Sequence, residues 1–285
     1  GAGRTGRPVM STTITLTLKQ EPALRVDLRG VTPAALAALS VGAVERLSVT
    51  HGTQILPLAE LFGVVRSDSA GDVDELRLIG DLAHFDRVGW QMAGGRVFVD
   101  GSVGDYVGGG MSAGELQVAG SAGSLAACEM AGGLLTVTGD VGDFAASTLP
   151  GSMDGMRGGT FIVKGNAGAR FGDRMRRGTA LVFGNAGDFL ASRMVAGTIA
   201  LGGEAGRHAG YGMRRGSVVF AASNAAGDIA QTFVPAVADA PVFWQLLSRD
   251  LARHGGPFAG LPARSIRRYL GDVAAGGKGE LIVAG

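Results

Sequence analysis

Apolar and polar positions alternate with a period of two in short segments that recur at a fixed spacing along the chain. Ile14, Leu16 and Leu18 alternate with threonines and predict a first half-buried strand. Farther along, the fifth and seventh positions after each of seven methionines are apolar, which predicts seven short strands with one face inward. These pairs are Val97/Val99, Leu116/Val118, Leu135/Val137, Phe161/Val163, Ala180/Val182, Ile199/Leu201 and Val218/Phe220.

The methionines mark a repeat of 19 residues, with one longer interval of 26 residues. A glycine follows each of these seven methionines three positions later. Self-similarity at a fixed period predicts stacked repeats, each in contact with its neighbours. Connections between parallel strands are almost always right-handed. We therefore expect an all-β fold that is a right-handed parallel β-helix, a solenoid of about 19 residues per coil. The methionines are Met92, Met111, Met130, Met156, Met175, Met194 and Met213, and the glycines of this structural repeat are Gly95, Gly114, Gly133, Gly159, Gly178, Gly197 and Gly216.

The flanking segments lack this period and are expected to form two caps. Residues 10–69 predict a small mixed N-terminal cap, in which Thr32 and Pro33 begin a short helix. Residues 70–227 predict the glycine-repeat β-helix, beginning with a degenerate coil that contains Leu76 and Leu78. Residues 228–285 predict a helical C-terminal extension that closes the other end of the array. Within this extension, 242–256 and 263–270 are predicted helices and 280–283 a predicted strand.

Composition narrows the possible functions. The formal net charge is only +1, so binding to nucleic acid is not expected. The single cysteine excludes an internal disulfide, and no apolar run is long enough to span a membrane. No signal peptide is visible near Met10, so we expect a cytoplasmic protein.

Patterns typical of catalysis or metal binding are weak in this sequence. The four histidines lack the spacing of a zinc site, and Cys128 has no basic neighbour that would activate its thiol. Residues 271–278 resemble a P-loop only loosely, because no serine or threonine follows Lys278. No catalytic residue and no metal site are therefore predicted.

Arginine is unevenly distributed along the array. The first three clear coils have no arginine within two residues of their methionine, whereas the next four coils have seven. Stacking is expected to place Arg157, Arg176 and Arg214 in one column and Arg177 and Arg215 in the next, where like charges repel unless anions face them. Carboxylates of a partner subunit or of the end caps are one expected source of those anions. The seven candidate binding residues are Arg157, Arg174, Arg176, Arg177, Arg193, Arg214 and Arg215.

The repeat of Met-x-x-Gly, alternating apolar residues and Gly-x-x-Gly resembles a glycine-repeat β-helix shared by two groups of proteins. One is the C-terminal domain of the large subunit of glutamate synthase. The other is the C subunit of formylmethanofuran dehydrogenase and of its bacterial relative, the formyltransferase/hydrolase complex. The resemblance covers about residues 76–227, and the length of 285 residues favours a free-standing C subunit.

The resemblance implies a function in one-carbon metabolism. It implies a scaffold subunit, itself without catalytic residues, of a formyltransferase/hydrolase complex that converts formyl-tetrahydromethanopterin to formate through a formylmethanofuran-type carrier. Two alternatives remain open. The first is the C subunit of an archaeal-type molybdenum/tungsten formylmethanofuran dehydrogenase, and the second is an independent ligand-binding or enzymatic β-helix protein.

The same resemblance implies partners and cofactors for the complex. The partners are formyltransferase and amidohydrolase-like subunits, with two copies of each subunit in the assembly. A methanofuran-type carrier and tetrahydromethanopterin act in the complex, and this chain alone binds no cofactor. Methanofuran-type carriers bear a glutamate chain. The resemblance therefore implies a second possible role for the seven arginines, as a surface that steers this polyanion.

Overall fold

The computed structural model describes residues 10–237 and 240–285, which consist mainly of β-strands with a few short helices. Residues 1–9, which precede the first predicted strand, lie outside the described part of the chain. No helix among the described residues is long and apolar enough to cross a membrane.

The strands and helices are numbered in chain order. The strands are β1 (Met10–Leu18), β2 (Val26–Asp27), β3 (Ser48–His51), β4 (Gln54–Pro57), β5 (Phe62–Ala70), β6 (Glu75–Ile79), β7 (Phe85–Asp86), β8 (Ala93–Asp100), β9 (Ala113–Val118), β10 (Leu134–Val137), β11 (Arg157–Val163), β12 (Arg177–Val182), β13 (Thr198–Leu201), β14 (Ser217–Phe220), β15 (Val234–Pro235), β16 (Ile266–Gly271) and β17 (Gly279–Ala284). The helices are α1 (Pro33–Ala37), α2 (Val41–Glu45) and α3 (Pro241–Ala252).

A 13-stranded sheet dominates the fold, in the order β15-β16-β17-β14-β13-β12-β11-β10-β9-β8-β6-β1-β5. All pairs from β1 through β6 and β8 to β14 and β17 are parallel. The register places equivalent residues of successive repeats side by side, as in Val97↔Leu116 and Ile199↔Val218. The predicted all-β class is therefore confirmed as a large, mostly parallel sheet.

A second line of parallel pairing accompanies the sheet. Single bridges join residues of successive repeats outside the strands, from Leu82↔Val103 to Ala186↔Ala205. All seven repeat methionines are buried, as expected of residues that fill a core. The seven repeat glycines have φ between 80° and 103°, a region that favours glycine.

The N-terminal segment extends the sheet and adds a smaller one. Strand β1 pairs in parallel with β6 on one side and antiparallel with β5 on the other. Strands β4, β3, β2 and β7 form the second sheet. Helix α1 begins where predicted, because the Thr32 side chain accepts a hydrogen bond from the Ala35 amide and Pro33 occupies the first turn.

The C-terminal segment differs from the prediction at residues 263–270. The predicted helix there is wrong, because most of these residues form strand β16, which pairs antiparallel with β17. This long-range pairing, together with a 2.8 Å ion pair between Arg268 and Glu280, outweighs the local helical pattern. The predicted final strand is confirmed as β17, which continues the parallel sheet beyond β14.

Helix α3 is confirmed but packs on the outer face of the sheet. Its Trp244 and Leu251 share a buried cluster with Leu181, Ala200 and Val219. Along their strands, these three residues alternate with the inward-facing apolar residues that the repeat predicts, such as Val182, Ile199 and Val218. They therefore point away from the methionines. The extension therefore covers a sheet face as well as continuing the strand order.

Candidate functional site: an arginine-lined groove

The predicted arginines lie either in the turns that precede the repeat methionines, as Arg174 and Arg193 do, or in the segments that follow the methionines and lead into the strands. The Arg176 amide donates to the Met156 carbonyl at 2.8 Å, and the Arg214 amide donates to the Met194 carbonyl at the same distance. In the repeat between these two arginines, Val195 occupies the equivalent position, and its amide donates to the Met175 carbonyl. Arg176 and Arg214 are thus two repeats apart, roughly 10 Å at the usual strand spacing.

The expected arginine columns are interrupted in one repeat, and the strand partner of Arg157 differs from the expected one. Val195 interrupts the first column between Arg176 and Arg214, and Ala196 interrupts the second in the same way. In addition, a register shift in the β11–β12 pair places Arg157 opposite Arg177, where stacking alone predicts Arg176. The two interruptions reduce the repulsion that an unbroken column of like charges would suffer.

Four of the seven arginines have carboxylate partners within the chain. Arg193 and Arg174 both approach Asp173, at 2.7 Å and 3.9 Å. Arg176 forms an ion pair with Asp154, and Arg157 lies 3.9 Å from Glu129. The repeat pattern alone does not identify these carboxylates, although each lies within two residues of a repeat methionine.

The remaining three arginines are exposed and form no ion pair within residues 10–237 and 240–285. They are Arg177, Arg214 and Arg215. An arginine keeps its charge at any physiological pH and presents several donors in a planar fork. This part of the surface can therefore accept carboxylates or other anions from outside the chain.

Asp173 fixes the orientation of the Arg193 side chain. Its side chain is buried, and it accepts hydrogen bonds from the Ser192 hydroxyl and from both Nε and Nη2 of Arg193. The Nη2 contacts measure 2.8 Å to Oδ1 and 2.7 Å to Oδ2. Several hydrogen bonds to one buried carboxylate hold the Arg193 guanidinium in one orientation.

The long interval of 26 residues produces a loop beside these arginines. A cleft of about 350 Å³ is lined by Leu149 and Pro150 from the loop, by Phe144 of the same repeat and by Leu125 of the preceding repeat. The polar end of this cleft is formed by Asp173, Arg174 and Arg193. The spacing of the methionines predicts the insertion, but not the cleft that it creates.

Two further clefts continue from the first. One of about 410 Å³ contains Arg174, Arg176, Arg193 and Arg214, and the other, also about 410 Å³, contains Arg176, Arg177, Arg214 and Arg215. Since adjacent clefts share arginines, the three form one surface feature, called here the arginine groove. Val195 lines both of the basic clefts.

Three other features raised by the sequence are the cysteine, a metal site and the segment that resembles a P-loop. Burial, with a smaller effect of the Glu129 carboxylate, raises the pKa of the Cys128 thiol to about 12, so the thiol stays protonated at neutral pH. Among the residues described, no three His, Cys, Asp or Glu side chains are grouped to hold a metal ion. Of the residues that resemble a P-loop, Gly271 ends β16 and residues 272–278 connect it to β17, where the Asp272 side chain accepts a hydrogen bond from the Ala274 amide at 3.0 Å.

Comparisons with known proteins add independent observations. No protein-family model matches the chain. The C subunit of the formyltransferase/hydrolase complex from Methylorubrum extorquens is 42% identical over 90 residues, which are 32% of this chain and 32% of that protein. The C subunit of the tungsten-containing formylmethanofuran dehydrogenase 2 from Methanothermobacter thermautotrophicus is 30% identical over 95 residues, which are 33% of this chain and 35% of that protein.

A solved structure matches nearly the whole chain. The crystal structure of the formyltransferase/hydrolase complex from Methylorubrum extorquens in complex with methylofuran contains a chain that superposes with a TM-score of 0.87. The two chains are 40% identical, and the match covers 95% of this chain and 99% of that one. This chain belongs to the C-subunit family of formyltransferase/hydrolase complexes. The family that its glycine repeat resembles is therefore confirmed.

The family assignment rests on the whole-chain structural match. With the curated relatives, by contrast, the chain aligns over only about a third of their length. The arginine groove lies in the repeat region of this member of the C-subunit family.

Proposed function

We propose that this chain is a non-catalytic scaffold subunit of a formyltransferase/hydrolase complex. The complex converts formyl-tetrahydromethanopterin to formate through a formylmethanofuran-type carrier. The observation that carries this proposal is the match over 95% of this chain and 99% of a chain from a complex of that name, crystallised with methylofuran. The catalytic residues lie on formyltransferase and amidohydrolase-like partner subunits, two copies of each subunit being assembled.

The finer architecture belongs to the same proposal. We infer that residues 70–227 form a right-handed parallel β-helix between an N-terminal cap of residues 10–69 and a C-terminal extension of residues 228–285. Two lines of parallel pairing between successive repeats support it, one along the large sheet and one along the bridges that include Val103↔Ala122. A stack of this kind is a rigid rod, which suits a subunit that positions others.

The seven arginines are proposed as a binding surface of this scaffold. Either the carboxylates of a partner subunit or the glutamate chain of a methanofuran-type carrier would neutralise the charges of Arg177, Arg214 and Arg215. Both ligands present carboxylates that match the guanidinium fork. Replacing Arg176, Arg177, Arg214 and Arg215 by glutamine distinguishes them: weaker formyl transfer in an intact complex supports the carrier, and dissociation of the complex supports an interface.

Purification of the untagged chain from its native host tests the scaffold role. Co-purification at a constant ratio with a formyltransferase and an amidohydrolase-like partner is the expected result. A catalytically active chain that purifies alone would overturn the proposal. Formate release from formyl-tetrahydromethanopterin is measured on the same purified complex.

A second candidate is the C subunit of a molybdenum- or tungsten-containing formylmethanofuran dehydrogenase. The observation in its favour is the similarity to the C subunit of such enzymes, at 30% identity over 95 residues. Metal analysis of the purified complex separates the two candidates, because only the dehydrogenase is expected to contain molybdenum or tungsten. The metal would be on another subunit.

A further inference from the structure

We propose that the arginine groove binds an extended acidic segment of a partner subunit, anchored by one apolar side chain in the cleft beside the insertion loop. This inference rests on the proposed scaffold function and specifies the chemistry of one partner contact. It is supported by the two contrasting ends of the groove, by a carboxylate of the chain that already pairs with one groove arginine, and by the length of the groove.

The first end of the groove is apolar. Leu125, Phe144, Leu149 and Pro150 line it, and the Phe144 side chain is 40% exposed although it faces a cleft. An aromatic or aliphatic side chain inserted there would remove this surface from water, and burial of apolar area is favourable in proportion to that area. A ligand that carries only carboxylates would leave this end unfilled.

The second end is cationic and incompletely neutralised. Arg214 and Arg215 lie on one side of Val195 and Ala196, and Arg176 and Arg177 lie on the other. The small apolar residues between the two pairs leave room for a backbone to cross, while the guanidinium groups reach its side chains. Acidic residues at this position would satisfy the charges that the chain leaves unpaired.

Asp154 shows that a carboxylate can pair with an arginine of the groove. This residue lies on the insertion loop, and its side chain forms an ion pair with Arg176. Both side chains are partly exposed, so the pair is held weakly and can be displaced by a competing carboxylate. The chain thus supplies one anion itself, and removing it should leave an additional site for an acidic ligand.

The length of the groove fits a short peptide. It extends from the repeat of Met130, which contains Phe144, to the residue after Met213, which is Arg214. Three to four repeats separate these points, roughly 14–19 Å at the usual strand spacing. An extended segment of about five residues spans that distance. One polypeptide of this length can place an apolar residue at one end and acidic residues at the other.

A binding assay on the full chain tests the chemistry. The probe is a fluorescent peptide in which one phenylalanine precedes a run of glutamates, and the reference peptides replace either the phenylalanine by alanine or the glutamates by glutamines. We expect both replacements to weaken binding, and the double variant Arg214→Gln/Arg215→Gln to weaken it about tenfold or more. Asp154→Asn should tighten binding several-fold.

The matched control is Arg249→Gln/Arg253→Gln, which removes the same charge from exposed positions on α3 and directly after it. It should leave binding unchanged. Equal effects of the two double variants, equal binding of the glutamate and glutamine peptides, or no effect of the phenylalanine would overturn the inference. Circular dichroism melting of each variant verifies that the fold is retained.

Photocross-linking in the assembled complex then identifies the natural occupant. A benzoylphenylalanine in place of Val195 should link to an acidic segment of a partner subunit, whereas one in place of the exposed Gln117 should not. If the probe links to the carrier or to no partner segment, the inference is overturned. The proposed scaffold function still stands in that case, provided that the chain co-purifies with its partners. If the chain does not co-purify with partners, both fail.

Discussion

The methyl group of Met156 fills the space that a side chain on Gly178 would need. A Cβ built on Gly178 would lie 3.0 Å from Met156 Cε and 2.7 Å from the carbonyl oxygen of Gly159. The same relationship joins other repeat methionines to the glycine of the next repeat, as in Met111 with Gly133. The Met-x-x-Gly spacing is therefore a packing requirement between successive repeats.

This relationship predicts a large cost for Gly178→Ala. The new methyl group would clash with backbone and with Met156, and φ of +93° is unfavourable for alanine. We expect a loss of about 3 kcal/mol or more in the free energy of unfolding, measured by denaturant titration. Gly151→Ala is the matched control, because Gly151 has φ of +85° but no atom within 4 Å of its Cβ position. It should lose only about 1 kcal/mol. Equal losses would show that packing is not the cause.

Removal of the Asp173 carboxylate should destabilise the chain strongly. Asp173→Ala leaves Arg193 and Ser192 without their buried acceptor, so we expect a loss of about 3 kcal/mol in the free energy of unfolding. Asp154→Ala, which breaks a partly exposed pair with Arg176, should cost no more than about 1 kcal/mol. Denaturant titrations compare the two, and a larger loss for the Asp154 variant would contradict the assignment of Asp173 as the buried anchor.

The buried thiol of Cys128 predicts a dependence of stability on alkaline pH. Burial raises its pKa to about 12 in the folded chain, whereas an unfolded thiol ionises at about 8.5. Below the unfolded pKa the contribution to stability is complete, and it is lost as pH rises toward the folded pKa. In that window this group should lower the free energy of unfolding by about 1.4 kcal/mol per pH unit.

The comparison of wild type with Cys128→Ala isolates this effect. Denaturant titrations between neutral pH and about pH 10 should give a steeper decline for the wild type, since the variant lacks the thiol. Parallel curves would contradict a raised pKa. A thiol reagent added to the native chain at mildly alkaline pH should react with Cys128 only on unfolding.

Helix α3 offers a prediction with a control on the same element. Leu251 is fully buried against the outer sheet face, whereas Leu246 is 67% exposed. Leu251→Ala should therefore cost about 3 kcal/mol in the free energy of unfolding, and Leu246→Ala no more than about 0.5 kcal/mol. Urea titrations measure both. Similar losses for the two variants would indicate that α3 does not pack as described.

The outer face of the sheet explains where α3 packs. Its outward residues change from Gln117 and Thr136 in the earlier strands to Ile162, Leu181 and Val219 in the later ones. This change from polar to apolar residues is present in the sequence and marks the area that the C-terminal extension covers. The inward-facing residues show no such change along the array. A prediction based on them alone therefore puts the C-terminal extension at the end of the array and not on its outer face.

The repeat, the strands and the inward column are readable from the chain alone. Period-two alternation and a fixed spacing are local and repeated, so every repeat provides the same information about register. The position of the arginines beside their methionines is equally readable. The breaks in their columns are harder to foresee, because the alignment near Arg157 depends on a register shift between two strands.

The strand at residues 266–271 and the environment of the arginines depend on the folded arrangement instead. Strand β16 forms because β17 offers an edge with which to pair, and Arg193 is held because Asp173 is buried beneath it. Both outcomes depend on contacts between residues that no periodic pattern connects. Long-range pairing and burial contribute more free energy than local propensity, so they determine the structure wherever the repeat ends.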